Sequence, residues 1–154
     1  MPPPTAHMGI YIDRPAQDVF NFVMDLGRTP EWRPRMSGAE WITPGPPGVG
    51  SKFRVSAKAL LYTFNFELEV TEWDPPRYFA YVGKQGPVSI KSFMEWLPDG
   101  AGSRFFLGGE PEANNWLVKI LRPAFEYALL KQNLADLDRL KTIMESSKDK
   151  KSVV

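Results

Sequence analysis

The sequence predicts an α+β domain in which a sheet of seven short antiparallel strands packs against one long C-terminal helix. About a hundred residues of strand-like sequence, interrupted by Pro and Gly, precede one long amphipathic segment that runs from about Ala113 to Met144. A helix of that length needs an apolar surface for its stripe, and in a chain of 154 residues the preceding sheet is the only candidate. Whether sheet and helix meet solidly or around a hollow therefore decides which function to expect.

The composition narrows the class of protein. A length of 154 residues fits one domain, which we place at residues 6–146 between tails at 1–5 and 147–154 that are expected to be disordered. Hydrophobic residues make up 43% of the chain and aromatic residues 13%, enough for a sizeable core and for the lining of a cavity. The 19 basic and 18 acidic residues nearly cancel, so no overall field attracts nucleic acid and no nucleic-acid partner is expected.

The location of the protein is predicted from what the sequence lacks. The chain has no cysteine, which excludes disulfides, thiolate metal sites and a cysteine nucleophile. Nowhere do about 18 apolar residues run together, and the start lacks the basic and apolar regions of a signal peptide. We therefore expect a cytoplasmic protein without integral membrane association, as a monomer or a homodimer.

A first strand and a first helix are predicted near the N terminus. The segment from His7 to Ile12 alternates weakly, and Asp13-Arg14-Pro15 then provides a capping residue and a proline suited to the first turn of a helix. This helix should end near residues 25–26, and a second short turn is expected around Trp32. The apolar face of the helix is predicted to consist of Val19, Phe20, Phe22 and Val23.

Six further strands are predicted between tight turns. They are expected at residues 36–43, from 52 onward, and at 62–72, 77–83, 88–97 and 103–110. The run from Tyr62 to Glu72 has the cleanest period of two in the chain. It places apolar residues on one face and polar residues on the other, so the sheet should have one face in water. The apolar set is Tyr62, Phe64, Phe66, Leu68 and Val70.

The long C-terminal helix changes its apolar face along its length. At about 100° per residue, one side carries Leu130, Leu134, Leu137, Leu140 and Met144. Almost opposite lie Leu117, Ile120, Leu121, Ala124 and Ala128. Pro123 can kink the helix between these sets, or divide it into two consecutive helices. We expect the C-terminal half to pack on the sheet and the half from Trp116 to Phe125 to form a movable lid.

Five local patterns in this order resemble a known superfamily. They are Ile10-Tyr-Ile-Asp-Arg-Pro15 leading into Asp18-Val-Phe-Asn-Phe-Val23, Asp25 followed by Pro30-Glu-Trp-Arg-Pro34, Gly48-Val-Gly-Ser-Lys-Phe53, Val70-Thr-Glu-Trp-Asp-Pro-Pro-Arg77, and Gly102-Ser-Arg104. Together they resemble the SRPBCC superfamily of START, polyketide cyclase and birch-pollen-allergen-like proteins, over nearly the whole chain. The resemblance is closest to the polyketide cyclase/dehydrase-like branch, whose members share a fold rather than one reaction.

The resemblance implies a helix-grip fold with an elongated apolar cavity. In such a fold a curved sheet of seven antiparallel strands wraps around the C-terminal helix, with one or two short helices after the first strand. The large inward rings then wall a pocket for a small hydrophobic or aromatic ligand, or alternatively fill the core. The residues predicted to bind the ligand are Trp32, Phe53, Val55, Tyr62, Phe64, Phe66, Tyr81, Ile90, Met94, Leu117, Leu121 and Phe125.

Acid–base chemistry, if the chain is an enzyme, must come from residues other than histidine and cysteine. His7 is the only histidine, so a multi-histidine metal site is impossible, and neither a metal nor a cofactor is expected. The catalytic candidates are Tyr62, Tyr81 and Arg104, with Ser92 and Glu110 as further polar residues that strand parity can place near a cavity. On the last three strands a slip of one residue would exchange the faces.

Two polar segments allow more than one interpretation. Gly48-Val-Gly-Ser-Lys52 lacks the spacing of a phosphate-binding loop and leads into a strand, so it is predicted to be a hairpin loop. Arg28, Arg33 and Arg35 beside Trp32 either bind an acidic ligand head or a carrier protein at the cavity mouth, or form a solvated basic edge.

The predicted function is the binding of a small hydrophobic or aromatic molecule, lipid- or polyketide-like, between the sheet and the C-terminal helix. The first alternative is a polyketide cyclase- or dehydratase-like enzyme that uses tyrosine and carboxylate chemistry. The second is an interaction module like the co-chaperone members of the superfamily, acting through the exposed face of the sheet. If the structure has no enclosed volume large enough for a small ligand, about 300 Å³ by usual pocket sizes, the ligand-binding and enzyme hypotheses both fail.

Overall fold

A computed structural model describes residues 8–59, 61–85, 88–113 and 116–152. The strands are β1 (Met8–Ile12), β2 (Met36–Trp41), β3 (Lys52–Ala59), β4 (Tyr62–Asp74), β5 (Tyr78–Gln85), β6 (Val88–Asp99) and β7 (Gly102–Ala113). The helices are α1 (Ala16–Met24), α2 (Thr29–Trp32) and α3 (Trp116–Ser152), and a 3₁₀ turn (Leu26–Arg28) precedes α2. The strands form one antiparallel sheet in the order β1-β7-β6-β5-β4-β3-β2, so the predicted helix-grip fold is confirmed.

The pairing of β3 with β4 fixes which side chains face inward. Phe53 lies opposite Leu68 and Val55 opposite Phe66, which places these apolar side chains on one face of the sheet. The register of β4 against β5 shifts between Val70 and Glu72, and this bulge turns the next aromatic residue back to the core. The inward set of β4 is therefore Phe66, Leu68, Val70 and Trp73.

Helix α1 packs its predicted apolar face on the sheet. Val19, Phe20, Phe22 and Val23 are all buried, as the spacing predicts. The ring of Phe20 meets the ring of Trp96 edge to face at a centroid distance of 5.0 Å. The N-cap position of α1 is Pro15, without a side-chain cap, so the prediction that Asp13 caps this helix is wrong.

The C-terminal half of α3 is attached to β1 and to the link between β1 and α1. Leu137, Leu140 and Met144 are buried against the sheet, which agrees with the predicted packing half. Buried Arg14 donates from Nη1 to the Met144 carbonyl oxygen at 2.9 Å, and Lys141 donates from Nζ to the Tyr11 carbonyl oxygen at 2.8 Å. These contacts explain why this half stays in place against the sheet.

The predicted packing of Leu130 and Leu134 is wrong, because these side chains are 39% and 51% exposed. The buried face of this half is formed by Asn133, Asp136, Leu137, Leu140 and Met144. At about 100° per residue, Leu134 lies roughly 100° and Leu130 roughly 60° from the centre of that face. Earlier in α3, the side chains of Trp116, Ile120 and Tyr127 are exposed by 60–70%.

Helix α3 is continuous. It runs as one helix from Trp116 to Ser152 with Pro123 inside it, so the alternative of two consecutive helices is wrong. It ends beyond the predicted end at Met144, inside the predicted tail, and the predicted domain limits stay a prediction. None of the described helices combines the length and apolar composition that crossing a bilayer requires.

Candidate functional site

A cavity lies between the inward face of the sheet and the short helical segment around α2. Its volume is about 230 Å³. This is below the threshold of about 300 Å³ that we took from usual ligand pockets, but above the roughly 150 Å³ that suffices to hold benzene in an apolar core, so that threshold is too high for a small aromatic ligand. The cavity therefore has room for a compact ligand of one or two rings rather than for an extended chain.

Seven of the residues predicted to bind a ligand line this cavity. They are Trp32, Phe53, Val55, Phe66, Tyr81, Ile90 and Met94. The described lining also includes residues that we did not predict, among them Phe79, Leu107, Gly108, Gly109 and Asn133. Most of these lie on the last three strands, for which the sequence did not decide which of two successive residues faces inward.

Two aromatic residues predicted to line the cavity do not do so. Tyr62 and Phe64 share the inward face of β4, but they lie at its first residues and are 71% and 40% exposed. The sheet extends past the elements that cover it, so correct parity does not bury these rings. The side chains of Leu117, Leu121 and Phe125 lie outside the described part of the structure.

The strand geometry places the catalytic candidates in different surroundings. Arg104 is exposed and donates from Nε to Asp99 Oδ2 at 2.8 Å, on the face opposite buried Phe105. The parity that we used for Arg104 was therefore off by one residue. Tyr62 does not line the cavity, and the side chain of Glu110 is not among those described. Tyr81 alone of the three named candidates lines it.

The aromatic wall of the cavity is tightly packed. The ring of Phe53 lies 5.2 Å from the ring of Tyr81 and 5.8 Å from that of Phe79, measured between centroids. Phe79 and Tyr81 are 5.0 Å apart. Such edge-to-face and tilted contacts hold each ring in one orientation, so this wall is preformed for a flat apolar ligand.

A row of small and hydroxyl-bearing residues crosses the central strands. Tyr81 on β5 pairs in register with Ser92 on β6, which pairs with Gly109 on β7, and all three line the cavity. A Cβ at position 109 would lie 2.8 Å from Ser92 Oγ, so glycine leaves the space that this hydroxyl needs. The row brings two hydroxyl groups to an otherwise apolar wall.

A buried polar cluster forms the helical side of the cavity. Arg33 donates from Nε to Asp136 Oδ2 and from Nη2 to Asn133 Oδ1, both at 3.2 Å. Asn133 and Asp136 are only 4% and 2% exposed. Burial raises the pKa of the Asp136 carboxyl above its usual range, and the nearby Arg33 guanidinium opposes this rise.

Of the three arginines predicted to form a basic edge, only Arg33 lines the cavity. Arg28 pairs with exposed Glu31 at 2.8 Å, and exposed Arg35 donates to Gln132 at 3.1 Å. The sequence held one signal for the cluster, since Asn133 and Asp136 interrupt the apolar stripe of α3 on its buried side. Across the described ranges, no group of three acidic or histidine side chains is placed to hold a metal ion.

The sequence of the chain matches one protein family over nearly its full length. The profile described as "Polyketide cyclase / dehydrase and lipid transport" matches residues 4–145. The chain belongs to this family. A search of curated proteins returned no match.

Solved structures of this family's fold superpose on the chain at low sequence identity. TTHA0849 from Thermus thermophilus is 19% identical with a TM-score of 0.74, covering 92% of this chain and 97% of that one. The Zhui aromatase/cyclase from Streptomyces sp. R1128 is 15% identical with a TM-score of 0.69, covering 90% and 92%. The di-domain ARO/CYC StfQ of the steffimycin pathway is 11% identical with a TM-score of 0.76, covering 93% of this chain but 51% of that one. These likenesses establish the fold.

Proposed function

We propose that this chain binds a compact hydrophobic or aromatic molecule, of a polyketide- or lipid-like class, in the cavity between the sheet and α2. The observation that supports this best is the cavity of about 230 Å³ itself, walled by inward apolar side chains of the central strands. Transfer of an apolar ligand from water to such a wall is favourable by about 25 cal/mol per Å² of buried apolar surface. The family description, which names cyclases, dehydrases and lipid transport, agrees with a ligand of this kind.

The size of the cavity limits the ligand. About 230 Å³ accommodates one or two fused rings but not a long acyl chain. We therefore use tetralin, a two-ring hydrocarbon, as the probe. Native mass spectrometry of the protein purified from its own host would reveal whether a natural ligand of similar size is retained.

A pair of matched variants tests the site. Val55→Phe adds a ring inside the cavity, whereas Val82→Phe adds the same ring on a strand position that does not line it. Isothermal titration calorimetry should show tetralin binding to the native chain and to V82F, and a loss of at least ten-fold in V55F. Equal binding in V55F and V82F, or no binding to the native chain, would refute the proposal.

A cyclase is the second candidate function, because Tyr81 and Ser92 bring two hydroxyl groups to adjacent inward positions. A phenol placed beside a reactive polyketone can relay a proton while the apolar wall holds the chain folded. Tyr81→Phe removes only the hydroxyl. If the chain is such an enzyme, Y81F should lose ring formation from a short polyketone while it still binds tetralin; unchanged conversion would exclude Tyr81 as the proton relay.

The remaining expectations about partners stay predictions. They are the absence of a nucleic-acid partner, the cytoplasmic location, the choice between monomer and homodimer, and the co-chaperone-like interaction module. The interaction module would use the outer face of the sheet, where the rings of Tyr78 and Phe93 stack at 5.9 Å. No described residue of this face identifies a partner.

A further inference from the structure

One side of α3 carries a row of apolar and aromatic side chains that lie in water. Trp116, Ile120 and Tyr127 are 70%, 65% and 60% exposed, and Leu130 and Leu134 are 39% and 51% exposed. Pro123 is exposed as well. We call this row the α3 seam, and its residues are Trp116, Ile120, Pro123, Tyr127, Leu130 and Leu134.

The spacing of the α3 seam is that of a coiled coil. Its residues follow one another at alternating steps of four and three from Trp116 to Leu134. At about 100° per residue, all six lie within roughly 40° of one line along the helix, and this line is roughly 100° from the centre of the buried face. Alternating steps of four and three define the heptad positions whose side chains meet between paired helices. The seam therefore has the form of a contact surface for a second helix.

The area of the seam is sufficient for a small interface. A large side chain exposes about 150–250 Å² when it is fully in water, so the five exposed fractions above correspond to roughly 600 Å² per chain. This is the upper limit for the apolar patch of a monomeric protein. Two chains that covered each other's seams would bury roughly 1,200 Å², the lower limit for a specific interface.

A second copy of α3 fits the whole seam. The steps of the seam read the same from either end, so an antiparallel copy that is aligned about residue 125 meets every seam residue with another one. The facing pairs are then Trp116 with Leu134, Ile120 with Leu130, and Pro123 with Tyr127. No other sequence is needed to complete the interface.

The sizes of the side chains favour the antiparallel over the parallel orientation. In a parallel pair each residue faces its own copy, so one layer would hold two tryptophans and another two prolines. In the antiparallel pair the large ring of Trp116 faces a leucine, and the small ring of Pro123 faces Tyr127. The layers are then closer to equal in volume, which lets two helices pack at one separation along their length.

The attachment of α3 to its own domain leaves this surface accessible. Lys141 donates to the Tyr11 carbonyl oxygen of β1 at 2.8 Å, and Arg139 donates to the Trp32 carbonyl oxygen of α2 at 3.4 Å. Both contacts lie beyond the C-terminal end of the seam. An antiparallel pair therefore places the two domains at opposite ends of the paired helices.

We propose that the α3 seam binds the α3 seam of a second copy, so that the chain is a homodimer held by an antiparallel pair of helices. The inference goes beyond the proposed function and does not depend on it, because the six seam residues do not line the cavity.

Analytical ultracentrifugation tests the dimer. The native chain at about 100 µM should sediment with twice the chain mass of 17.5 kDa. Ile120→Glu places a carboxylate in two of the six layers, and it should weaken dimerisation at least about 30-fold. Val49→Glu is the matched control, because Val49 is 71% exposed outside the seam and receives the same charge; it should dimerise like the native chain. A monomeric native chain, or an I120E variant that dimerises as strongly as the native chain, would overturn the inference.

A spin label tests the orientation without changing the seam. The chain has no native cysteine, so Asp138→Cys gives one labelled site per chain, on an exposed residue 13 positions beyond residue 125. In the antiparallel pair two such labels should be about 40 Å apart, whereas a parallel pair would bring them within about 25 Å. Double electron–electron resonance measures this distance. The short distance would overturn the antiparallel alignment.

A lipid surface is the competing occupant of the seam, and vesicles distinguish it from a second copy. The native dimer should remain in the supernatant when vesicles of phosphatidylcholine and phosphatidylglycerol are sedimented, because each seam is covered by the other. Binding of the native chain to these vesicles that is lost in I120E and retained in V49E would overturn the dimer and assign the seam to lipid.

Discussion

The ion pair between Arg33 and Asp136 is the most exacting test of the buried cluster. The two side chains are 13% and 3% exposed, and Nε lies 3.2 Å from Oδ2. Arg33→Met removes the guanidinium but keeps an unbranched apolar stem. The carboxylate of Asp136 then stays buried, with Arg139 Nη1 3.5 Å from Oδ1 on a side chain that is 42% exposed, and with the charge of Arg35 acting on it without a direct contact.

The size of the effect follows from burial. Breaking a buried pair by removing one partner costs about 3–5 kcal/mol, because an uncompensated charge remains. Arg139 retains part of the interaction, although solvent screens it. We therefore expect R33M to lower the free energy of unfolding by roughly 2–4 kcal/mol at neutral pH.

The loss of stability in R33M should depend on pH. Since the pKa of Asp136 is raised in the folded protein, the folded state binds this proton more tightly than the unfolded state does. Stability therefore falls as the pH rises from the unfolded pKa through the folded pKa. Without Arg33 the folded pKa rises further, so the deficit of R33M should be larger near pH ~7 than near pH ~5.

Urea denaturation of the native chain and R33M at both pH values measures this deficit. Arg28→Met is the control, since Arg28 and Glu31 form an ion pair with both side chains nearly half exposed, and no measurable loss is expected. An R33M variant as stable as the native chain at neutral pH, or a deficit that is the same at both pH values, would refute the reasoning. The double variant Arg33→Met, Asp136→Leu should recover much of the loss.

Two further predictions concern α3. Leu140 is fully buried whereas Leu134 is 51% exposed, so Leu140→Ala should cost about 2–5 kcal/mol in urea denaturation and Leu134→Ala less than about 0.5 kcal/mol; similar losses in both would contradict the assignment of Leu140 to the buried face and Leu134 to the exposed one. Pro123 is exposed inside α3, and if the half from Trp116 to Phe125 is a lid, Pro123→Ala should change the tetralin on-rate in stopped-flow measurements more than it changes stability. Equal on-rates in P123A and the native chain would count against the lid.

Local periodicity predicted much of the fold. The alternation of β4 and the apolar face of α1 depend on neighbouring residues only, and the structure places both as the pattern requires. The register shift after Val70 and the exposure of Tyr62 depend on how far each strand extends beyond its neighbours and its cover. The alternation of residues within one strand does not show how far that strand extends beyond its neighbours. The ends of the sheet could therefore not be predicted.

The candidate site was only partly predictable for the same reason. Strand patterns placed Phe53 and Tyr81 among the predicted lining residues, and their rings lie 5.2 Å apart in the cavity wall, but they missed Phe79. The polar cluster requires α2 and α3 to come together over about a hundred residues of chain, from Arg33 to Asn133. Arg104 shows a different limit. An error of one residue in the parity of β7 was enough to predict its side chain on the inner face, whereas it lies on the outer face.

Occupancy of the cavity is tested most directly by methyl-resolved nuclear magnetic resonance during a tetralin titration. The methyl groups of Val55, Ile90 and Met94 lie on strands that line the cavity, and Val82 provides a reference position outside the lining. Shifts at these three residues that saturate with one binding constant, with Val82 unchanged, are the expected result. Absence of saturable shifts at the three lining residues up to the solubility limit of tetralin would contradict ligand binding in this cavity.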